Sequence, residues 1–378
     1  MYTFYILKLS HLNSFLDHYI SWLQSKKGKR ITLSIFIAFT ILLGWNLQYL
    51  DVDFEFEKFF PKNDPDSRDY EIHRKQFGYD NDFLLIVLES ENGIFNASFL
   101  KKTHQFETSL SQISGIEQVV SPISQKHLIH GPTGLLAFPL VHVEEPDKLA
   151  QDSIRIFSSP FYASSFSIDR KAYTIYLVHE HFSDQKQSEK LVEEIQSLAK
   201  TASLDSIKIV GKLTAQNVFI EFIQNDFGRY LLGSLILSFV LLLFLFRSFK
   251  ASLLPFLISL FSLIWLFGLM GLTGVKINLL SSLLPPILFF VSMSDAVHLM
   301  NAMQKTDAHA HRLRNAIHLV WTPTLLTSVT TAIGFLSLLW INTEPIQTLG
   351  IFAAVGILFA FAITFTFGVI LSSGYKNP

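Results

Sequence analysis

Asp295 and His298 stand inside an apolar run, in the stretch Phe289 to His298 that reads FFVSMSDAVH. Their spacing puts both on one face of a helix, and Ser292 precedes Asp295 on nearly the same side. Ionisable groups at lipid depth are expensive; they face the interior of a helix bundle and mark ion or proton paths. A carboxyl with an imidazole one turn further on therefore has the chemistry of a proton relay. The competing reading makes Asp295 a hydrogen-bonding tie between helices and His298 a side chain reaching for the membrane edge. A second polar stripe, Thr324, Thr327, Ser328 and Thr331, recurs at helical spacing and is followed by Gly334. Its hydroxyls suit either packing against a partner helix, the plainer reading, or donation to the Asp295 carboxylate.

Other chemistries find less support. His298, His309, His311 and His318 do not repeat with carboxylates at tetrahedral spacing, so no metal site is expected. With no Cys, thiolate ligands, disulfides and cysteine nucleophiles are excluded. No nucleophile sits on a Gly-flanked elbow and no GxxxxGK[ST] run cradles a phosphate. An enzyme is therefore not expected, no cofactor is expected, and the energy source should be an ion gradient.

The elements that must position these residues follow from hydropathy. Of 378 residues, 49% are hydrophobic, 36 are Phe and 16% are charged, against about a quarter charged in an ordinary soluble domain. The net charge of −1 gives no field suited to nucleic acid. Ile31 to Leu50 is long enough to span a bilayer and lacks a small-residue cleavage site, so it reads as an uncleaved first span. Five further runs follow, near Gly228 to Phe246, Ser252 to Leu272, Leu283 to Met303, Leu319 to Ile341 and Ile346 to Leu371. In the last, Gly350, Ala353, Ala354, Gly356 and Ala360 allow close helix packing. Lys26 to Arg30, Arg247, Lys250, Lys305, Arg312, Arg314 and Lys376 all fall on one side when six spans are threaded, leaving Lys276 in the short loops opposite. Both termini are thus expected in the cytoplasm, with the large domain facing outward. The expected organisation is a cytoplasmic segment 1–30, a first helix 31–50, an extracytoplasmic domain 51–227, helices two to six over 228–371 and a tail 372–378. Leu9, Leu12, Leu16, Tyr19, Ile20 and Leu23 recur at helical spacing and suggest a surface amphipathic helix, with a frayed end as the alternative.

Within the outer domain, Asp82 to Leu88 reads as a strand, Ala97 to Ile113 as a helix and Ile116 to Ser121 as a strand. The pattern repeats with Ala172 to His179, a helix Ser183 to Ala202 with a polar start at Ser183 and Lys186, and Ile207 to Gly211. Two such units predict an α+β ferredoxin-like, split βαβ, domain. Between them, Pro122 to Pro146 is broken by Gly131, Pro132, Gly134 and Pro139 and is expected to cover an edge or line a groove.

Four stretches resemble a known family: LDVDFEFEKFFPKNDPDSRDYEIHRKQFG (Leu50 to Gly78), FRSFKASLLP (Phe246 to Pro255), NLLSSLLPPILFFVSMSDAVHL (Asn278 to Leu299) and PTLLTSVTTAIGFLSL (Pro323 to Leu338). Their order is similar to one repeat of the resistance-nodulation-division superfamily, in the hydrophobe-exporter branch related to the mycobacterial MMPL transporters. The resemblance implies a polytopic α-helical transporter with a porter domain, proton-coupled export of a lipid or other hydrophobic molecule, and Asp295 as the proton-carrying acid. It also implies late spans like a sterol-sensing domain. Ser292 departs from a glycine frequent in relatives. Such transporters usually carry two repeats, so the resemblance implies a second half, as another copy or a separate chain, with a truncated gene product inactive alone as the other reading. The alternative function is a lipid-sensing or accessory membrane subunit that does not transport.

Overall fold

The structure, a computed structural model, describes residues 16–61, 64–77, 83–131, 134–182, 185–305 and 312–372. Leu9, Leu12, Ser183, His309, His311 and Lys376 lie outside these residues. The chain divides into two compact units, one of 1–67 with 220–378 and one of 68–219.

The first unit is helical. Among the described residues, six helices are long and apolar enough to cross a membrane. They are built on α2 (Lys26–Asn46), α8 (Lys212–Phe246), α9 (Phe249–Thr273), α10 (Leu284–Lys305), α11 (Arg312–Leu336) and α12 (Glu344–Ile363), the last continuing through a π turn, Thr364–Gly368. A shorter helix, α1 (16–24), precedes α2. The expected second span began at Gly228, whereas α8 starts at Lys212. Its first turns carry Gln216, Glu221, Asn225 and Asp226, which hydropathy assigns to a polar domain although none of them interrupts a helix.

Close backbone approach holds α2 to α9. A Cβ built on Gly268 would meet the Leu43 carbonyl oxygen at 2.2 Å, and one on Gly271 would meet that of Asn46 at 2.1 Å. Only glycine lets two helices touch this way. Gly350 serves α12 similarly, since its Cβ would lie 2.6 Å from the Phe335 carbonyl of α11. At the Leu50 end of the bundle, Asp51 to Asp53 pairs with the loop after α9: Ile277 N donates to Asp51 O at 2.7 Å and Asp53 N to Ile277 O at 2.9 Å.

The second unit holds a four-stranded sheet. Its strands are β1 (Phe83–Glu89), β2 (Ile116–Val120), β5 (Ala172–His179) and β6 (Ser206–Gly211), in the order β2-β5-β1-β6 with every neighbour antiparallel. Helix α3 (Pro65–Phe77) precedes β1, and helices α4 (Ala97–Leu110) and α7 (Gln185–Thr201) connect β1 to β2 and β5 to β6. In β1 the burial alternates strictly, with Leu84, Ile86 and Leu88 inward, as the period of a sheet with one covered face requires. These residues pack with Phe99, Phe106, Leu191 and Ile195 into one core. The broken segment between the two βαβ units contains a hairpin, β3 (Lys126–Gly131) with β4 (Gly134–Pro139), and then α5 (Leu149–Phe157) and α6 (Pro160–Ala163). Asp152 on α5 ties this segment together: it is 1% exposed and accepts from the His142 backbone N–H at 2.8 Å and from Arg155 Nη2 at 2.7 Å.

Candidate functional site: a carboxyl within the helix bundle

Asp295 sits on α10 and is 5% exposed. Leu288, Phe289, Ala296 and Leu299 of the same helix are also buried, so α10 turns its Asp295 face into the bundle. Ser328 on α11 donates its hydroxyl to Asp295 Oδ2 at 3.2 Å, the one hydrogen bond this carboxyl makes among the described residues. Ser328 is itself 2% exposed, and Thr324, one turn away, is 3% exposed. A carboxyl has room for four donors. Here one neutral hydroxyl faces it across two helices, so its protonation state changes the bond that joins α10 to α11.

The remaining polar residues divide by which way they face. Ser292 is buried and donates back to the Phe289 carbonyl of its own helix at 3.0 Å. Thr327 and Thr331 bond carbonyls one turn back, Thr327 to Pro323 at 3.1 Å and Thr331 to Thr327 at 2.7 Å. Thr327 faces outward, and so does His298, which makes no hydrogen bond among the described residues. Asp295 and Ser328 therefore meet, with Thr324 buried on the same face of α11 one turn from Ser328, while His298 stands one turn along α10 on the surface of the unit. The period of a helix predicted a shared face; the burial separates the two.

At the Leu50 end of the same unit, Asp53, Glu55, Lys58, Lys276, Glu344 and Thr348 line a cleft of about 360 Å³. Lys58 bridges Asp53 and Glu55 there.

A contact at the opposite end gave no periodic signal. Asp17 on α1 accepts from Arg314 Nε at 2.6 Å and Arg314 Nη2 at 2.5 Å, and from His318 Nε2 at 2.6 Å. Arg314 first, and His318 second, hold the Asp17 carboxyl down at about 2. The sequence offered only Arg314 and His318 four apart, on one helix face; their partner lies 297 and 301 residues away.

A protein of Methanocaldococcus jannaschii described only as a membrane protein is 22% identical over 358 residues, covering 90% of this chain and 89% of its own length. The family model described as the MMPL family matches residues 61–371, which include the helices that carry Asp295 and Ser328. Members of that family are transporters and not enzymes. The chain is a membrane protein of the MMPL family.

Proposed function

We propose that the chain is half of a proton-driven exporter of lipids or other hydrophobic molecules, with Asp295 as the group that takes up and releases the proton. The observation that carries this reading is the buried Asp295 carboxyl facing a single neutral hydroxyl across α10 and α11, in a family of transporters. An ionisable group held in a helix bundle without a cation beside it is expensive to keep, and such groups belong to ion pathways. When Asp295 is a carboxylate, Ser328 must donate to it. Once it is protonated, the carboxyl can itself donate, and α11 is free to settle differently against α10. A two-position contact of this kind couples proton binding to helix movement. His298, outward one turn along α10, would pass the proton on where the second half meets this face, with Ser292 and Thr324 as the buried members of the supporting polar stripe and Thr327 and Thr331 on its outer edge.

The basic residues around Lys26, Arg247, Lys305 and Arg314 favour a cytoplasmic location for that end of the bundle. On this reading residues 51–227 lie outside an inner membrane, and the charged cleft at the Leu50 end collects protons from that side. The β2-β5-β1-β6 order with two crossover helices supports reading the sheet unit as a ferredoxin-like porter domain. The other half would be a second copy or a separate chain.

The test uses Asp295→Asn in purified, folded protein, reconstituted with its partner half into vesicles carrying a pH dye and a fluorescent amphiphile. Flux driven by an acidic outer medium is expected to fall to background. Flux equal to that of the parent would sink the proposal. Binding of the amphiphile without any proton-coupled flux in the parent would favour the lipid-sensing alternative.

A further inference from the structure

α1 and the turn that follows it are fixed at three independent points. The first is the turn. Ser25 accepts from the Gly28 backbone N–H at 2.9 Å, and a Cβ on Gly28 would lie 1.8 Å from the Trp22 carbonyl oxygen. Glycine at 28 is what lets α1 fold back beside the start of α2. The second is the clasp, in which both Asp17 carboxylate oxygens face the Arg314 guanidinium and one also meets His318. A forked arginine with a second donor is the strong form of such a bond. The third is Tyr19, whose hydroxyl donates to the Phe365 carbonyl at 3.1 Å. Phe365 belongs to the π turn of the last span, where the regular helical bonding is interrupted.

Between these points, Ile20 and Leu23 are each 1% exposed and pack in one core with Leu299, Met300 and Met303 of α10 and with Leu313 and Ile317 of α11. α1 therefore covers the bundle end where α10, α11 and the π turn meet. Those are the helix that carries Asp295, the helix that carries Ser328, and the irregular turn of a third. Any movement of α11 against α10 at this end must carry α1 along or break its clasp.

We propose that α1 is a lid that closes the Lys26 end of the helix bundle, latched by Asp17 to Arg314 and His318, and that it lifts when α10 and α11 move against each other. The lid itself follows from contacts within the unit; its lifting during turnover rests on the transport reading above. With the latch shut, Ile317 and Met303 are sealed from water. With it open, the end of the bundle nearest Arg314 is exposed.

The chain has no Cys, so Ile317→Cys introduces its one thiol, read by maleimide labelling of the full chain in vesicles. Labelling is expected to be slow in this background and about tenfold faster when Asp17→Ala is added, the size expected for losing a charge-assisted bond pair. Asp17→Arg combined with Arg314→Asp is expected to restore slow labelling, which separates loss of the latch from general misfolding. Equal rates with and without Asp17→Ala would overturn the latch. An imposed proton gradient is expected to speed labelling in the Ile317→Cys background; an unchanged rate would make α1 a static clasp and overturn the lid. Amphiphile flux measured in the same vesicles keeps the two ideas apart, since acceleration without flux would reject the transport reading and leave the lid standing.

Discussion

Glu107 shows how one side chain's surroundings become a pH response of the domain that holds it. It lies on α4, is 6% exposed, and accepts a hydrogen bond from the Tyr173 hydroxyl on β5 at 3.1 Å. Burial pushes its carboxyl up to about 7 from an ordinary 4.5, against the opposite pull of hydroxyls from Ser121 and Tyr173. Between those two values the folded sheet unit binds a proton that the unfolded chain has released. Its stability must therefore fall as pH rises through this window, by roughly 3 kcal/mol in all. Hydrogen exchange of the β1 and β5 amides, corrected for intrinsic rate, should show more opening at pH 8 than at pH 5. Glu107→Gln should flatten that dependence; an equal slope in the variant would place its cause elsewhere. Asp295 was legible because a charge in an apolar run is conspicuous, and Ser328 because its spacing put it on a helix face. Glu107 and Asp17 sit among other charged residues, and only the fold brings Tyr173 to one and Arg314 to the other.

The same distinction governs the helices and strands. Hydropathy located all six apolar helices because each is a long uninterrupted run. α8 begins before the apolar run at Gly228 because polar residues and helix breaks are different signals. The β3–β4 hairpin has no distinct signal of its own, since glycines such as Gly131 and Gly134 suit a hairpin and an irregular loop alike. The sixth-span glycines are spaced for packing, and Gly350 does approach α11 closely. The tighter contacts are at Gly268 and Gly271 on α9. Because the atoms they would strike are backbone carbonyls, no side chain can rotate away. Gly268→Val should force α2 and α9 apart and lower stability by roughly 1–3 kcal/mol, seen as a lower thermal aggregation midpoint in detergent. Gly334→Ala, with nothing within 4 Å of its Cβ, is the matched control and should stay within about 0.5 kcal/mol of the parent. Equal losses in both would mean that glycine itself, and not the α2–α9 approach, sets the effect.

At the scale of the whole molecule, the question is what covers the outward face of α10 and α11. The hydroxyls there tolerate lipid, because Thr327, Thr330 and Thr331 each bond a carbonyl of their own helix. His298 has no such recourse: it faces outward within a membrane-length helix and has no hydrogen-bond partner among the described residues. A bare imidazole in lipid is unfavourable, so the proposed second half should meet the molecule along this face. Symmetric pairing of two copies would bring each α11 near its counterpart, and Thr330, outward on that helix, is the position to probe. In an otherwise cysteine-free chain, Thr330→Cys should give covalent dimers with a short bis-maleimide in native membranes, whereas Leu272→Cys, exposed on α9, should not. Cross-linking to a different polypeptide at Thr330→Cys would identify a separate chain as the other half. Dimers at both positions in equal yield would mean random collision, and this face would then have no special claim to a partner.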